Sequence, residues 1–198
     1  YIRPVRASDA PAVERICLLT GDAGASAAHL HSPSRQNLLG AVWAVPYVLM
    51  PYTFGFVLVD DDDDDSSVKG YVLGATDSDA FARAEEQSWW PALRERYPLQ
   101  PRADEEPRTK ADETYIGIIH RAPDAPHPAC LALSPAHLHI DLLPEVQRQG
   151  WGRKLIGRAV QELEGMGLRA VWLGMDPRNE DAAKFYERLG FEKIEGAP

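Results

Sequence analysis

Gln147-Arg148-Gln149-Gly150-Trp151-Gly152 is the most informative stretch of this sequence. The apolar residues just before it predict a buried strand; they are Leu138, Ile140, Leu142 and Leu143. The apolar residues just after it recur at helical spacing; they are Leu155, Ile156, Ala159, Val160 and Leu163. The six residues therefore occupy the connection between a strand and the first turn of a helix.

The start of that helix is suited to an anion. The first turn of a helix has backbone N–H groups without intrahelical partners, and the helix dipole places partial positive charge there. Gly150 and Gly152 remove side chains that would hold a ligand away from these donors. Arg148, Arg153 and Lys154 add positive charge nearby. The stretch therefore predicts a site for a phosphate or pyrophosphate.

Two familiar phosphate loops fail on spacing. A dinucleotide fingerprint requires a third glycine where this chain has Leu155. A Walker loop requires Gly-Lys-Ser/Thr where this chain has Gly157-Arg158-Ala159. The remaining pattern, Gln-x-x-Gly-x-Gly between a strand and a helix, resembles the acetyl-CoA loop of the GCN5-related N-acetyltransferases (GNAT). An ordinary glycine-rich turn is the alternative explanation of the loop taken alone.

A second stretch, residues 179–191, resembles the C-terminal motif of the same family, which is Asn, then Ala, then Tyr, then Leu-Gly-Phe. It follows a predicted short strand at residues 170–175, at the separation that the family uses. Asn179 is suited to cap the helix and Gly190 to end it. An amphipathic helix with a core tyrosine is the alternative. With both motifs in order, the close resemblance covers residues 138–191 and a weaker one covers residues 1–75.

The resemblance implies an α/β (α+β) fold of the GNAT type. Its central sheet is mixed, mostly antiparallel and twisted, with helices on both faces and strands that splay apart at the acetyl-CoA site. We expect a single acetyltransferase domain over residues 1–198 with an irregular insertion at about 98–135. The hydrophobic pattern predicts helices at 38–48, 79–86 and 89–97 and a strand at 115–119.

The resemblance also implies how acetyl-CoA would be bound. Backbone groups near Leu142 and Leu143 would pair with the pantetheine arm and the acetyl oxygen. Asn179 would contact the pantetheine arm, and Tyr186 would protonate the leaving thiolate. The residues that would hold the pyrophosphate are Gln147, Arg148, Gln149, Gly150, Trp151, Gly152 and Arg153.

The general base is sought on the strand before the loop. His137, His139 and Asp141 alternate, so they share one face of that strand. Three ionisable groups on one face are costly in a dry core, which favours a polar groove beside the reacting centre. A polar edge held by an ion-pair network is the alternative. Asp141 is nearest the expected acetyl position, and His139 is the second candidate because its reference pKa suits base chemistry near neutrality.

An aromatic stripe, Trp89, Trp90 and Tyr97, is the candidate wall of the acceptor site, with a place in the core as its alternative. The stripe belongs to a further resemblance. Ser88-Trp89-Trp90-Pro91 and residues 70–74 are similar to the acetyltransferase-like C-terminal domain of animal O-GlcNAcase. That domain has a degraded CoA loop and is regarded as catalytically silent, whereas the loop here is intact. The resemblance implies a free-standing microbial or fungal relative.

Composition limits the partners. The net charge is −9, and the run from Asp60 to Asp65, expected to be a solvated hairpin turn, supplies six of the negative charges. No basic cluster predicts nucleic-acid binding, and the longest apolar run, residues 38–50, is too short to span a membrane. Cys17 and Cys130 make no disulfide framework and no metal site, which favours the cytoplasm, or the nucleus if the source is eukaryotic. We expect a monomer or a homodimer.

Two classes of function follow. The first is an acetyl-CoA-dependent N-acetyltransferase that acts on a primary amine, either a small amine or a lysine or peptide amine, by direct attack in a ternary complex. The second is a CoA-binding or protein-interaction module with little turnover, as in the animal relatives. The intact loop favours the enzyme.

Overall fold

The computed structural model describes residues 1–60 and 67–197. Its labelled strands are β1 (Ile2–Pro4), β2 (Thr53–Val59), β3 (Val68–Ala75) and β4 (His137–Leu142). Within the described residues they form one antiparallel sheet in the order β1-β2-β3-β4. The solvated turn predicted over Asp60 to Asp65 lies, apart from Asp60, outside the described residues.

The helices of the described residues precede, separate and follow these strands. They are α1 (Ala10–Thr20), α2 (Leu38–Trp43), α3 (Pro46–Leu49), α4 (Ser78–Ala84), α5 (Trp90–Arg96), α6 (Lys110–Arg121), α7 (Pro128–Leu133), α8 (Trp151–Gly165) and α9 (Glu180–Arg188). In the part of the chain that the structure describes, no helix is both long and apolar enough to cross a membrane.

The sheet carries helices on both faces, as predicted. On one face, α1 packs Val13 and Ile16 against Val57 and Leu73 of β2 and β3. On the other face, α8 packs its apolar side; the buried residues there include Phe56, Val72, Leu138, Leu155 and Ala159. A third cluster lies between α2, α5 and α6. Alternation along each strand therefore divides the chain into two layers about the sheet.

Among the described residues, a single parallel bridge makes this otherwise antiparallel sheet mixed. Trp172 forms an isolated parallel bridge with His137, in which Leu138 N donates to Trp172 O at 3.0 Å and Trp172 N donates to Ala136 O at 3.2 Å. The strand predicted at residues 170–175 is reduced to this bridge. Beyond Leu138 no further pairing joins the two segments within the described residues, so the strands splay toward the end of β4.

The strand predicted at residues 115–119 is wrong, because these residues lie within α6. Thr109 and Asp112 form a reciprocal capping box at the start of that helix. Ile116 and Ile119, three residues apart, are both buried in the third cluster. The period of a short apolar run does not distinguish a helix from a strand. Here the capping residues at the start of the helix were the better predictor.

The irregular insertion predicted at about 98–135 is also corrected, since it contains both α6 and α7. Its first part is anchored to the domain. Arg35 Nη2 donates to Glu105 Oε1 at 2.5 Å, and Arg108 Nε donates to the same oxygen at 2.8 Å.

The other helix predictions hold with changed boundaries. The helix predicted over 38–48 ends at Trp43 and begins again at Pro46, whose ring nitrogen has no N–H to continue the ladder. The two helices predicted over 79–86 and 89–97 are present and are joined by a π-helical turn, Glu85–Trp89.

Candidate active site

The three polar residues of β4 share one face, as predicted. Leu138 lies in the apolar cluster under α8, and Ile140 and Leu142 pack against it. His139 and Asp141 point to the opposite layer, where they meet Tyr71 of β3. The helix layer on that side therefore covers a column of polar groups rather than a purely apolar surface.

Asp141 is the last member of this column along β4. Tyr71 is its direct partner in the β3–β4 register, and the Tyr71 hydroxyl donates to Asp141 Oδ2 at 2.5 Å. Burial raises the pKa of Asp141 to about 6, while the Tyr71 hydroxyl and, from α1, the Thr20 hydroxyl act to lower it. Asp141 is therefore ionised at neutral pH, with a basicity suited to accept a proton.

His139 is less suited to that role. Its Nε2 atom is buried and has no hydrogen-bond partner among the described residues. Its ring lies between Tyr47 and Tyr71, at centroid distances of 4.6 Å and 5.7 Å. Burial, and then the neighbouring His137, lower the pKa of His139 to about 3. The imidazole is therefore neutral and weakly basic near pH 7.

The side chain of His137 is held in place by hydrogen bonds within the fold. Ser78 Oγ donates to Pro135 O at 2.6 Å, so its single proton is taken and the His137 Nδ1–H must donate to Ser78 Oγ, also at 2.6 Å. His137 Nε2 is then the acceptor for the Tyr47 hydroxyl at 2.7 Å. Burial lowers the pKa of His137 to about 4. Both ring nitrogens are satisfied by fixed partners within the fold.

Tyr186 reaches the same region from α9. Its ring packs against Phe185 and Phe191, at centroid distances of 5.3 Å and 5.6 Å. Burial, and then the negative charge of Asp141, raise its pKa above the ordinary value. Among the described residues its hydroxyl has no hydrogen-bond partner, so a protonated phenol is left available as a donor close to Asp141.

The glycine-containing loop opens α8 as predicted. Gly150 precedes the helix with a φ of +83°, and a Cβ atom there would meet open space. The first intrahelical bond runs from Lys154 N to Gly150 O at 3.2 Å. The N–H groups of Trp151, Gly152 and Arg153 precede that bond and have no partner among the described residues. Unpaired N–H groups at a helix N-terminus are suited to bind an anion.

The side chains of the loop divide into two groups. Gln147 Nε2 donates to Leu142 O, and Gln149 Nε2 donates to Glu145 O, each at 2.8 Å, so both glutamines brace the loop itself. Arg148 and Arg153 are exposed, and Lys154 Nζ lies 4.0 Å from the centroid of the Trp151 ring. Arg148 Nη2 also lies 3.6 Å from Asp181 Oδ2 of α9, so part of its charge is offset there.

The sequence predicted only part of the backbone hydrogen bonding at the end of β4, where the strands splay apart. Leu143 N donates to Lys69 O at 2.9 Å, so the prediction that the Leu143 backbone is free is wrong. The antiparallel ladder then points the backbone groups of Ile140 and Leu142 away from β3. On that side Leu142 O accepts from Gln147, whereas the N–H groups of Ile140 and Leu142 have no partner within the described part of the chain.

Asn179 caps α9 and touches a loop from the other end of the chain. Its Oδ1 accepts from Ala182 N at 3.0 Å. A Cβ atom on Gly24 would lie 3.2 Å from Asn179 Nδ2. Next to it, Arg178 Nη2 pairs with Asp22 Oδ1 at 3.0 Å. The loop after α1 is therefore joined to the start of α9.

The aromatic stripe does not line the site, and its assignment to the acceptor wall is corrected. Trp90 is 1% exposed and Tyr97 is 8% exposed, both within the cluster between α2, α5 and α6. Trp89 packs against this cluster and donates its indole N–H to Ala41 O at 2.9 Å. Large aromatic groups at helical spacing are here the core of a helical layer.

Sequence reasoning missed Tyr71, Thr20 and Tyr47. Each is distant in sequence from Asp141 and His139, and no local pattern marks it. The one available signal was a tyrosine within the apolar strand 70–74, since a buried phenol needs a hydrogen-bond partner. As for metals, no group of three or more histidine, cysteine, aspartate or glutamate side chains is placed to hold an ion in the described ranges 1–60 and 67–197.

Comparison with known proteins agrees with this geometry. The model of the Acetyltransferase (GNAT) family matches residues 76–191. The solved structure described as "Crystal structure of SsHAT" is 37% identical to this chain, with a TM-score of 0.83, over 100% of this chain and 94% of that one. A GCN5-related N-acetyltransferase from Ralstonia eutropha JMP134 has a TM-score of 0.55 at 15% identity, over 100% of this chain and 95% of that one, and so supports the fold alone.

A curated relative matches over a shorter region. The [Ribosomal protein bS18]-alanine N-acetyltransferase of Escherichia coli (strain K12) is 42% identical over 50 residues, which are 25% of this chain and 34% of that protein. The chain therefore spans about a third of the length of this relative.

Proposed function

Because the chain belongs to the acetyltransferase (GNAT) family, a family of acetyl-CoA-dependent acetyltransferases, we propose that it transfers an acetyl group from acetyl-CoA to a primary amine. The acceptor is a small amine or a lysine or peptide amine, and it attacks directly in a ternary complex. The observation that carries the proposal is the buried Asp141 carboxylate at the end of β4, whose hydrogen bond from Tyr71 fixes it and whose negative charge acts on the Tyr186 phenol of α9.

The start of α8 would hold the pyrophosphate of acetyl-CoA. Its three N–H groups have no partners among the described residues. Together with Arg153, and with Arg148, which also pairs with Asp181 at 3.6 Å, they offer hydrogen bonds and positive charge at the start of the helix. Asn179 caps α9 through its Oδ1, and its Nδ2 would contact the pantetheine arm. The residues present thus fit the group that the family uses.

The chain's own residues supply the proton transfers. Asp141 takes a proton from the incoming ammonium, directly or through one water, and its negative charge attracts that cation. The N–H groups of Ile140 and Leu142 lie on the open side of β4 and stabilise charge on the acetyl oxygen. Tyr186 donates its phenolic proton to the departing sulfur, and the second proton that the attacking nitrogen loses restores the phenol. Acetyl-CoA supplies the acetyl group and a thiolate that leaves.

Asp141 is preferred to His139 as the base for a physical reason. A base with a pKa near 3 takes up a proton poorly at neutral pH, whereas one near 6 is both ionised and able to accept a proton. The charge of Asp141 also acts on Tyr186, the proposed acid, so we place both proton transfers in one region.

The likeness of residues 88–91 to the O-GlcNAcase C-terminal domain forms part of this proposal. In this chain these residues join the π-helical turn to α5 and build the helical layer over α2. They support a common architecture for this helical layer. The intact loop before α8 supports turnover here rather than a silent module.

The experiment is amine-dependent release of the CoA thiol, measured with a panel of small amines and lysine-containing or N-terminally free peptides. Calorimetry measures acetyl-CoA binding in parallel. Turnover with at least one amine supports the enzyme. Tight binding of acetyl-CoA with no turnover across the panel would favour the binding module instead, and no binding would remove both.

A further inference from the structure

We infer that Tyr71 is a positioning residue for the proposed acetyl transfer: its hydroxyl fixes one oxygen of the Asp141 carboxylate and presents the other, Oδ1, to the incoming amine. The inference rests on the proposed function, because it assigns Tyr71 a task only if Asp141 is the base. Its starting observation is the 2.5 Å hydrogen bond between Tyr71 Oη and Asp141 Oδ2.

The geometry of the sheet makes this hydrogen bond rigid. Tyr71 and Asp141 are direct partners in the β3–β4 register. Because Leu143 N bonds to Lys69 O, alternation along the antiparallel ladder places Tyr71 and Asp141 in a hydrogen-bonded pair as well. The two side chains leave the same face from a fixed backbone. A base held on a strand by a second strand is placed more accurately than one on a loop.

The tyrosine hydroxyl is not needed to fill space. The Tyr71 side chain is 0% exposed and lies in the apolar cluster with Val57 and Leu73. A phenylalanine ring would make the same apolar contacts, while a buried hydroxyl is costly unless it is hydrogen-bonded. The hydrogen bond to Asp141 therefore accounts for a polar atom at this position.

The groups around Asp141 leave Tyr71 as its principal donor. From α1 come Cys17, whose pKa is raised by burial, and Thr20, whose hydroxyl also donates to Ile16 O at 2.8 Å and lowers the pKa of Asp141 less than Tyr71 does. From β4 comes His139, with a lowered pKa, and from α9 comes Tyr186, with a raised pKa. These neighbours are uncharged near pH 7.

The negative charge of the Asp141 carboxylate is also not paired with a positively charged side chain of the described residues. Among the described residues no lysine or arginine forms an ion pair with Asp141, and Glu14, further along α1, acts on Cys17 as a second negative charge. Removal of the Tyr71 hydroxyl therefore leaves burial as the dominant influence on the carboxylate. The pKa of Asp141 therefore rises in such a variant, and the acidic limb of the plot of kcat/KM against pH moves to higher pH.

The test compares wild type with Tyr71→Phe, Asp141→Asn and Tyr115→Phe, the last a control that removes the hydroxyl of a partly buried tyrosine on α6. Two quantities are measured: kcat/KM against pH with an amine found by screening, and the titration of the Asp141 carboxyl carbon by NMR, assigned by its loss in Asp141→Asn. The NMR titration needs no turnover, so it reports on Tyr71 separately from the proposed function.

We expect Tyr71→Phe to raise the titration midpoint of Asp141 and the acidic limb together, by about one to two pH units, as for loss of a hydrogen bond to a charged group. At pH 7, kcat/KM should fall roughly two- to tenfold and recover toward wild type at pH 9. KM for acetyl-CoA should not change. Tyr115→Phe should leave both midpoints in place.

Three outcomes overturn the inference in different ways. An unchanged NMR midpoint in folded Tyr71→Phe removes the role of Tyr71 while leaving Asp141 as the base. A moved midpoint with an unmoved rate profile removes the catalytic role of both residues. A full-rate Asp141→Asn enzyme removes the base assignment in the proposed function and the inference with it.

A second variant covers the case in which Tyr71→Phe fails to fold. A fluorinated tyrosine placed at position 71 keeps the shape of the ring and makes the phenol a stronger donor. It should move the midpoint and the acidic limb to lower pH, opposite to Tyr71→Phe. A shift in the same direction as Tyr71→Phe, or none, contradicts the inference.

Discussion

Gly152 lies so close to Phe185 that a Cβ atom on the glycine would come within 2.9 Å of Cζ of the phenyl ring. The contact joins the first turn of α8 to α9, and thereby joins the proposed pyrophosphate site to the helix that carries Tyr186. The glycine is needed for helix packing as well as for ligand access. The relative placement of the proposed cofactor loop and the proposed acid therefore depends on the absence of a side chain at Gly152.

Gly152→Ala should disturb both sites at once. The added methyl group pushes Phe185 and α9 outward, at a cost typical of overpacking, about 1–3 kcal/mol. Urea unfolding should show the lower stability, and turnover should fall together with acetyl-CoA affinity. The control is Gly157→Ala, on the exposed side of α8 with nothing within 4 Å of its Cβ position. The prediction fails if the two alanine variants behave alike.

Gly150→Glu should abolish stabilisation by acetyl-CoA. The new carboxylate occupies the open space before α8 and repels a pyrophosphate from its N–H groups. In the wild type, ligand at 100 times its dissociation constant should add about 2.7 kcal/mol to the free energy of unfolding, seen as a shift in Tm. The matched control is Gly157→Glu, which adds the same charge further along the helix. A full ligand-induced shift in folded Gly150→Glu would remove the loop assignment.

Tyr186→Phe should keep acetyl-CoA affinity and lower turnover. The ring still packs between Phe185 and Phe191, and only the proton donor is lost. General acid catalysis is typically worth about 10²–10⁴-fold, which sets the expected fall in kcat. The control is Tyr52→Phe, since Tyr52 is 53% exposed. A full-rate Tyr186→Phe enzyme would show that water protonates the thiolate or that the ring is only packing.

Asp141→Asn should lower kcat/KM and remove the acidic limb of its pH profile. Because the pKa of Asp141 is raised to about 6, the base form is present above that pH and is lost as the pH falls through it. His139→Gln should leave the limb in place, since the pKa of His139 lies near 3. If His139→Gln removes the limb and Asp141→Asn does not, the histidine is the base.

Asp112→Asn should destabilise the fold at neutral pH, because Asp112 is 0% exposed and accepts from the Ser32 hydroxyl at 2.7 Å and from Thr109 N at 3.0 Å. Burial raises its pKa, but the bonds from Thr109, Ser32 and His31 together hold it below the ordinary value of 3.8. Its stabilising effect is therefore full above that value and is lost as the pH falls through the lowered pKa.

The measurement for this prediction is urea unfolding at pH 7 and pH 3. We expect a loss of about 1–3 kcal/mol at pH 7 that becomes smaller at pH 3. Asp104→Asn, at an exposed position, is the control and should change stability little at either pH. An equal deficit at both pH values would mean that the charge of Asp112 is not what stabilises the fold.

Local patterns were sufficient for the elements that carry the proposed cofactor site. The apolar alternation of β4, the glycines before α8 and the Asn179 cap of α9 each depend on neighbours within a few residues. Such signals can be identified in short stretches of sequence, because strand period, helix period and capping chemistry are short-range properties. The same reasoning failed at residues 115–119, where a short apolar run has no period of its own.

Long-range pairing supplied what these patterns could not. Tyr71 meets Asp141 across 70 positions of sequence, and Gly24 meets Asn179 from the opposite end of the chain. Which residue of β3 faces Asp141 depends on strand register, and a shift of one residue would turn every side chain to the other face. The sequence therefore establishes the candidate base and acid, while the packed sheet determines the burial and hydrogen bonding that set their basicity and orientation.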